Sequence, residues 1–101
     1  MEFLVEFEVD IPDGTTARQV EVRNSAEASA AARLVDEGHL VRLWRTSVGT
    51  DRTTVIGLYR AGSRSELEGL LAALPLYDWM RTFITPLVQH PNDPARIQAT
   101  T

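Results

Sequence analysis

The 101-residue chain is predicted to be an α+β protein with one four-stranded antiparallel sheet and two helices on one face of it. Two patterns predict this fold class. Four short segments are rich in β-forming apolar residues, and two longer segments carry apolar residues at helical spacing. Their order is strand, helix, strand, strand, helix, strand. This βαββαβ order is that of the ferredoxin-like split βαβ fold, which hosts many unrelated functions.

The first strand and the first helix have the clearest local signals. Apolar residues alternate with acidic ones over residues 2–11, as expected of a strand with one solvated face. After a Pro-Asp-Gly turn, Thr16 and Gln19 form a capping box that begins the helix. Gly38 is suited to the left-handed conformation that commonly ends a helix.

The later elements also have local sequence signals at their boundaries. Residues 49–52 are predicted to connect a hairpin between the second and third strands. Ser63 and Glu66 form a second capping box, and the helix that follows carries a stripe of leucines. Pro86 indicates that the last strand is an edge strand or contains a bulge. The predicted strands are 2–11, 40–47, 53–59 and 82–88, and the predicted helices are 16–37 and 63–74.

The second strand is predicted to be apolar on both sides. Simple alternation places Val41 and Leu43 on one face and Leu40 and Trp44 on the other. The third strand also carries apolar residues on both faces. Because two helices cover only one side of a small sheet, the other side is expected to contact a second subunit.

Composition narrows the class of protein. The apolar content of 44% indicates one globular domain, predicted over residues 1–94, with a C-terminal tail at 95–101. No apolar run approaches the roughly 20 residues that span a bilayer, and no signal-peptide pattern opens the chain, so a cytoplasmic protein is expected. The net charge of −4 argues against nucleic acid and anionic membranes as partners. With no Cys and no Lys, disulfides, thiolate nucleophiles and Schiff bases are excluded.

Glu27 departs most from the pattern of the first helix. At 100° per residue it lies about 20° from Val20, in the apolar stripe that also contains Leu34. Burial of a carboxylate is costly and would raise its pKa, which makes Glu27 a candidate general base or acid. The alternative is a structural ion pair with Arg42 or Arg45, since such pairs also perturb carboxylates.

Arginines and aromatic residues supply the other candidates. Arg42, Trp44 and Arg45 could clamp a carboxylate against an indole wall, or be a core tryptophan flanked by surface arginines. Arg23 borders the stripe that contains Glu27 and could bind an anion or extend to solvent. No metal site is expected, because neither histidine has a second ligand at metal spacing. Without a phosphate loop or a nucleophile elbow, cofactor-free chemistry or simple binding remains.

Several motifs together resemble the muconolactone isomerase family over roughly residues 1–94. These are Met1-Glu2-Phe3-Leu4-Val5, Pro12, Glu27, Glu37-Gly38, Leu43-Trp44-Arg45, Leu74-Pro75-Leu76 and His90-Pro91. The resemblance implies a ferredoxin-like subunit that pairs through its sheet, assembles into a decamer, has sites near subunit interfaces and uses no cofactor. It also implies an isomerase that moves a proton within muconolactone, a small acidic lactone, to give the enol-lactone of the β-ketoadipate pathway of aromatic catabolism.

The resemblance also assigns site residues. The helix glutamate of the family falls on Glu27, the expected catalytic base, and its Trp-Arg pair falls on Trp44 and Arg45. One of the arginines is expected to hold the substrate carboxylate, while aromatic side chains keep water out. The expected substrate-binding residues are Arg23, Asn24, Arg42, Trp44, Arg45, Tyr77 and Trp79.

Two departures from the family pattern keep other functions open. Asn24 replaces a common lysine, and the hairpin lacks the usual Tyr and Asn, so Arg23 and Arg52 are candidate substitutes. One alternative is an isomerase, cyclase or lyase of the same fold that acts on another substrate in secondary metabolism. The other is a non-catalytic oligomer that binds a small ligand, in which Glu27 would be held in a salt bridge with no cavity beside it.

Overall fold

The structure, a computed structural model, describes residues 1–46 and 54–95. It contains the predicted α+β fold, with four antiparallel strands and two helices. The elements are β1 (Glu2–Val9), α1 (Ala17–Asp36), β2 (Leu40–Thr46), β3 (Thr54–Arg60), α2 (Arg64–Ala72), a 3₁₀ turn (Tyr77–Trp79) and β4 (Met80–Leu87). The predicted hairpin at 49–52 and nearly all of the predicted tail lie outside the described residues. No helix in the described ranges is long and apolar enough to cross a membrane.

The sheet has the strand order β2-β3-β1-β4, so β1 is central and β4 is an edge strand, as Pro86 predicted. Alternation along β1 turns Phe3, Val5 and Phe7 to one face, where each is at most 3% exposed. Both helices pack on this inner face, because leucines from α1 and α2 belong to the same core cluster. Burial of these large side chains is the main source of stability in a domain of this size.

The first predicted helix boundaries are confirmed. Thr16 Oγ1 accepts a hydrogen bond from Gln19 N (3.1 Å), and Gln19 Oε1 accepts one from Thr16 N (2.9 Å). Gly38 has a φ of +79°, which favours glycine. At α2 only half of the predicted box is present, because the Glu66 carboxylate accepts from Gly62 N instead of from Ser63.

A β-bulge in β2 changes which side chains face the helices. The regular pairing with β3 shifts between Leu40 and Arg42, so Val41 is an extra residue in the strand. As a result, Leu40 and Leu43 both face the helices, and Trp44 faces the other way. The prediction that Leu40 shares a face with Trp44 is therefore wrong, because one inserted residue exchanges the two faces.

The last strand also differs from its predicted bounds. β4 begins at Met80, two residues before the predicted start, because pairing with β1 continues to the Val9–Met80 pair. The Asp10 N–H then donates to Trp79 O at 2.7 Å. The aromatic connection before β4 is therefore short and is fixed against the end of β1.

Candidate active site

A cavity of about 160 Å³ lies between α1 and the inner face of the sheet. Glu27, from the middle of α1, and Tyr59, from β3, are the two polar side chains among the described residues that line it. The remaining lining residues are apolar: Phe7, Val9, Ala31, Leu34, Leu40, Leu43, Val55, Leu74, Leu76 and Met80. This combination of apolar walls and one carboxylate is typical of a site that binds a small molecule and acts on it.

Glu27 is half-buried, and one backbone hydrogen bond orients it. The N–H of Leu76 donates to Glu27 Oε1 at 3.1 Å. Burial raises the pKa of Glu27 above its ordinary value of 4.5, and the Leu76 N–H offsets part of this increase because it stabilises the carboxylate. Among the described residues Glu27 forms no salt bridge with Arg42 or Arg45. The cavity and the unpaired carboxylate thus disagree with the purely structural interpretation of this residue.

Arg23 fixes the chain segment that holds Glu27. Its Nη1 donates to Pro75 O and to Asp78 Oδ1, both at 2.7 Å, and its guanidinium lies 4.5 Å from the ring centroid of Trp79. The hydrogen bond from Arg23 is the main reason that the pKa of Asp78 is below its ordinary value. These contacts attach α1 to the connection between α2 and β4, which also supplies the N–H that binds the Glu27 carboxylate.

The candidates in β2 lie on different faces of the sheet. Arg42 and Trp44 are on the outer face, away from the helices, where the guanidinium lies 5.2 Å from the indole centroid. Arg45 is on the inner face, paired with Val55, which lines the cavity. Arg45 is exposed and does not line the cavity, but it is the member of this group that lies on the cavity side of the sheet.

The remaining candidates do not line the cavity. Asn24 is exposed on α1, and Tyr77 is 42% exposed in the 3₁₀ turn. Trp79 is buried beneath Arg23 and supports that side chain.

Sequence reasoning missed Tyr59 as a functional candidate. The sequence does contain one indication of it: Gly57 lies two residues earlier in β3, and a glycine within a strand often marks the close approach of another group.

The pKa of Glu27 predicts how stability depends on pH. A raised pKa means that the folded chain holds this proton more tightly than the unfolded chain, so ionisation of Glu27 costs stability as the pH rises above 4.5. Glu27→Gln keeps an oxygen for Leu76 and removes the charge. The variant is expected to be more stable than the wild type at pH 7, with an advantage that shrinks as the pH falls toward 4.5.

Urea unfolding of both proteins between pH 4 and pH 8 measures this difference. The matched change Glu21→Gln lies on the same helix at an exposed position, and its stability profile is expected to follow that of the wild type. A gap between Glu27→Gln and the wild type that does not widen with pH would contradict the prediction.

The fold and the cavity define a class of small ferredoxin-like proteins that place one carboxylate in an apolar site, suited to proton transfer at carbon. No cluster of three or more potential metal ligands occurs in residues 1–46 and 54–95. The family model described as muconolactone delta-isomerase matches residues 1–93, so the chain belongs to that family. The predicted enzyme class, an isomerase, is thereby confirmed.

Relatives of known name and structure agree with this family. The chain is 34% identical to a muconolactone Delta-isomerase of Cupriavidus pinatubonensis over 92 residues, which cover 91% of this chain and 97% of the relative. It is 30% identical to muconolactone Delta-isomerase 1 of Acinetobacter lwoffii, covering 91% and 93%. A crystal structure of muconolactone isomerase superposes with a TM-score of 0.80 at 26% identity, covering 93% of this chain and 95% of that one.

Proposed function

We propose that the protein is a cytoplasmic isomerase that moves a proton within muconolactone, or a closely related enolisable lactone, to give the enol-lactone. The observation that carries this proposal is the Glu27 carboxylate in an apolar cavity, held by one backbone N–H and with its pKa raised by burial. Two of the relatives described above carry the name muconolactone Delta-isomerase, which supports this proposal.

In this proposal Glu27 acts as both base and acid. The carboxylate takes a proton from one ring carbon, and the electron pair moves through the conjugated system to the lactone carbonyl oxygen. The protonated Glu27 then returns the proton to another carbon of the same system, so no proton is gained or lost overall. A raised pKa of Glu27 reduces the difference in pKa between this carboxyl group and the C–H that it deprotonates. The fixed carboxylate also holds the base in position against that carbon.

Arg45 is the proposed partner of the substrate carboxylate. It lies on the cavity side of the sheet, whereas the Arg23 guanidinium already binds Pro75 and Asp78. Arg42 lies on the outer face with Trp44. Arg42 and Trp44 can therefore contact substrate only where a neighbouring subunit brings its own cavity to the outer face.

A homo-oligomer that pairs through the sheet is part of the proposal. On the outer face, the side chains of four residues lie side by side across the four strands: Trp44, Ile56, Glu6 and Phe83. The two aromatic residues are 43% and 49% exposed. Exposed aromatic side chains on an uncovered face of a sheet commonly mark an interface between subunits, and Glu6 is the charged residue of this row that such an interface has to accommodate. Because β2 and β4 are the two edge strands, the row extends across the whole sheet.

Phe83→Asp is expected to dissociate this pairing, because it replaces an exposed aromatic side chain by a second carboxylate beside Glu6, and the interface would have to bury both charges. Light scattering after size exclusion measures the mass in solution. Val35→Asp, at an exposed position on α1, is the control and is expected to keep the sheet-paired dimer. A wild-type protein that is monomeric at micromolar concentration would rule the pairing out.

The substrate is tested by incubating the purified protein with muconolactone and following enol-lactone formation by absorbance. Turnover that increases with enzyme concentration supports the proposal. No signal at high enzyme concentration would reject muconolactone and favour another enolisable acid, consistent with Asn24 at the position where the family commonly has a lysine.

A further inference from the structure

Tyr59 is the second polar side chain in the cavity of Glu27, and it is only 3% exposed. Its neighbours in the cavity wall are apolar. The rings of tyrosine and phenylalanine fill nearly the same space, so packing alone does not call for a hydroxyl at this position.

The ring of Tyr59 is held in place by a glycine and by an aromatic neighbour. Gly57 lies two residues earlier on the same face of β3, and a Cβ built there would overlap Tyr59 Cε1 and come within 3.2 Å of Leu43 Cδ1. The phenol ring therefore lies back across Gly57, along the strand. The ring of Phe7 meets it edge-on, with 6.0 Å between centroids and 65° between planes.

The electrostatics of the cavity determine what the hydroxyl can do. Burial raises the pKa of Tyr59 to about 12, and the nearby negative charge of Glu27 adds to this increase. The phenol therefore keeps its proton throughout the physiological range and acts as a hydrogen-bond donor. The cavity thus pairs one group that accepts a proton with one that donates a hydrogen bond.

We infer that Tyr59 is a further catalytic residue, whose hydroxyl donates a hydrogen bond to the substrate oxygen that gains negative charge when Glu27 removes a proton from carbon. The inference rests on the proposed function. The proton of Tyr59 is not transferred: the electron pair released at carbon moves to the carbonyl oxygen, where the fixed donor stabilises it, and returns when Glu27 reprotonates carbon. A donor placed in advance where charge develops is among the strongest catalytic devices in an apolar site.

The first test is Tyr59→Phe, which keeps the ring over Gly57 and against Phe7 and removes only the hydroxyl. Turnover is expected to fall about 10²- to 10³-fold, the usual cost of losing one such donor. The fall should appear in kcat far more than in KM, because the interaction strengthens only as charge develops. Ser65→Ala removes a hydroxyl from an exposed position of α2 and is expected to leave turnover unchanged.

A second test does not depend on turnover. In Glu27→Gln, which imitates the protonated base, 4-nitrophenolate presents an anionic oxygen like that of the intermediate. Its binding, followed by absorbance, is expected to be at least about tenfold weaker in Glu27→Gln/Tyr59→Phe than in Glu27→Gln. Equal affinities in the two proteins would overturn the inference.

The two tests separate the failure of this inference from that of the proposed function. If the wild type does not isomerise muconolactone but phenolate binding depends on Tyr59, the proposed substrate is wrong and the donor role of Tyr59 stands. If the wild type is active and Tyr59→Phe is equally active, the catalytic role of Tyr59 is wrong and the proposed function stands.

Discussion

Glu27→Gln is expected to fold and assemble like the wild type and to lose about 10²- to 10⁴-fold in kcat, the usual contribution of a positioned general base. The amide fits the space of the carboxylate, and its oxygen can still accept from the Leu76 N–H, so the geometry of the site is kept. Only the ability to take and return a proton is removed. Steady-state isomerisation of muconolactone measures the loss.

The same assay on Glu21→Gln gives the matched control. Glu21 lies on α1 at an exposed position, so the same chemical change is made on the same helix outside the cavity. Its turnover is expected to equal that of the wild type. Near-wild-type turnover in Glu27→Gln, with circular dichroism and mass unchanged, would remove Glu27 from the mechanism.

Gly57→Ala is expected to damage both stability and activity. The added Cβ would occupy the space of the Tyr59 ring and press on Leu43, so the ring must leave its place in the cavity. Overpacking of this kind typically costs about 1–3 kcal/mol. A displacement of about 1 Å within a catalytic site can cost roughly 10²-fold in rate. Denaturant unfolding and turnover measure the two effects.

Gly69→Ala is the contrasting substitution. Gly69 lies inside α2, where a Cβ would meet no atom within 4 Å. Alanine is the better helix former by roughly 1 kcal/mol, so this variant is expected to gain stability and keep full turnover. If Gly57→Ala behaved like Gly69→Ala, the close contact between Gly57 and Tyr59 would not constrain the site.

The features that sequence predicts here are those set by local physics. The capping box of Thr16 and Gln19 and the helix end at Gly38 depend on a few neighbouring residues, and the structure contains them as predicted. Helical periodicity alone placed Glu27 on the core-facing stripe of α1, and the carboxylate does line the cavity. The pattern needed no knowledge of the rest of the chain, because the geometry of a helix fixes which side chains share a face.

The features that were missed depend on distant partners or on an insertion without a signature. Val41 is an ordinary strand residue, so nothing in its neighbourhood predicts the bulge that turns Trp44 away from the helices. Arg23 binds groups 52 and 55 residues later in the chain, which sequence spacing cannot identify. The structure gives Arg23 contacts that join α1 to the later part of the chain, and its expected contact with substrate stays a prediction.

The hydrogen bond between Glu27 and Leu76 joins positions 49 residues apart. As the ribosome makes the chain, α1 emerges long before this N–H exists, and until then Glu27 is an ordinary solvated glutamate. Its raised pKa arises only when the later part of the chain closes over the helix. In a nascent or partly folded chain Glu27 therefore lacks this raised pKa, which appears only with the completed domain.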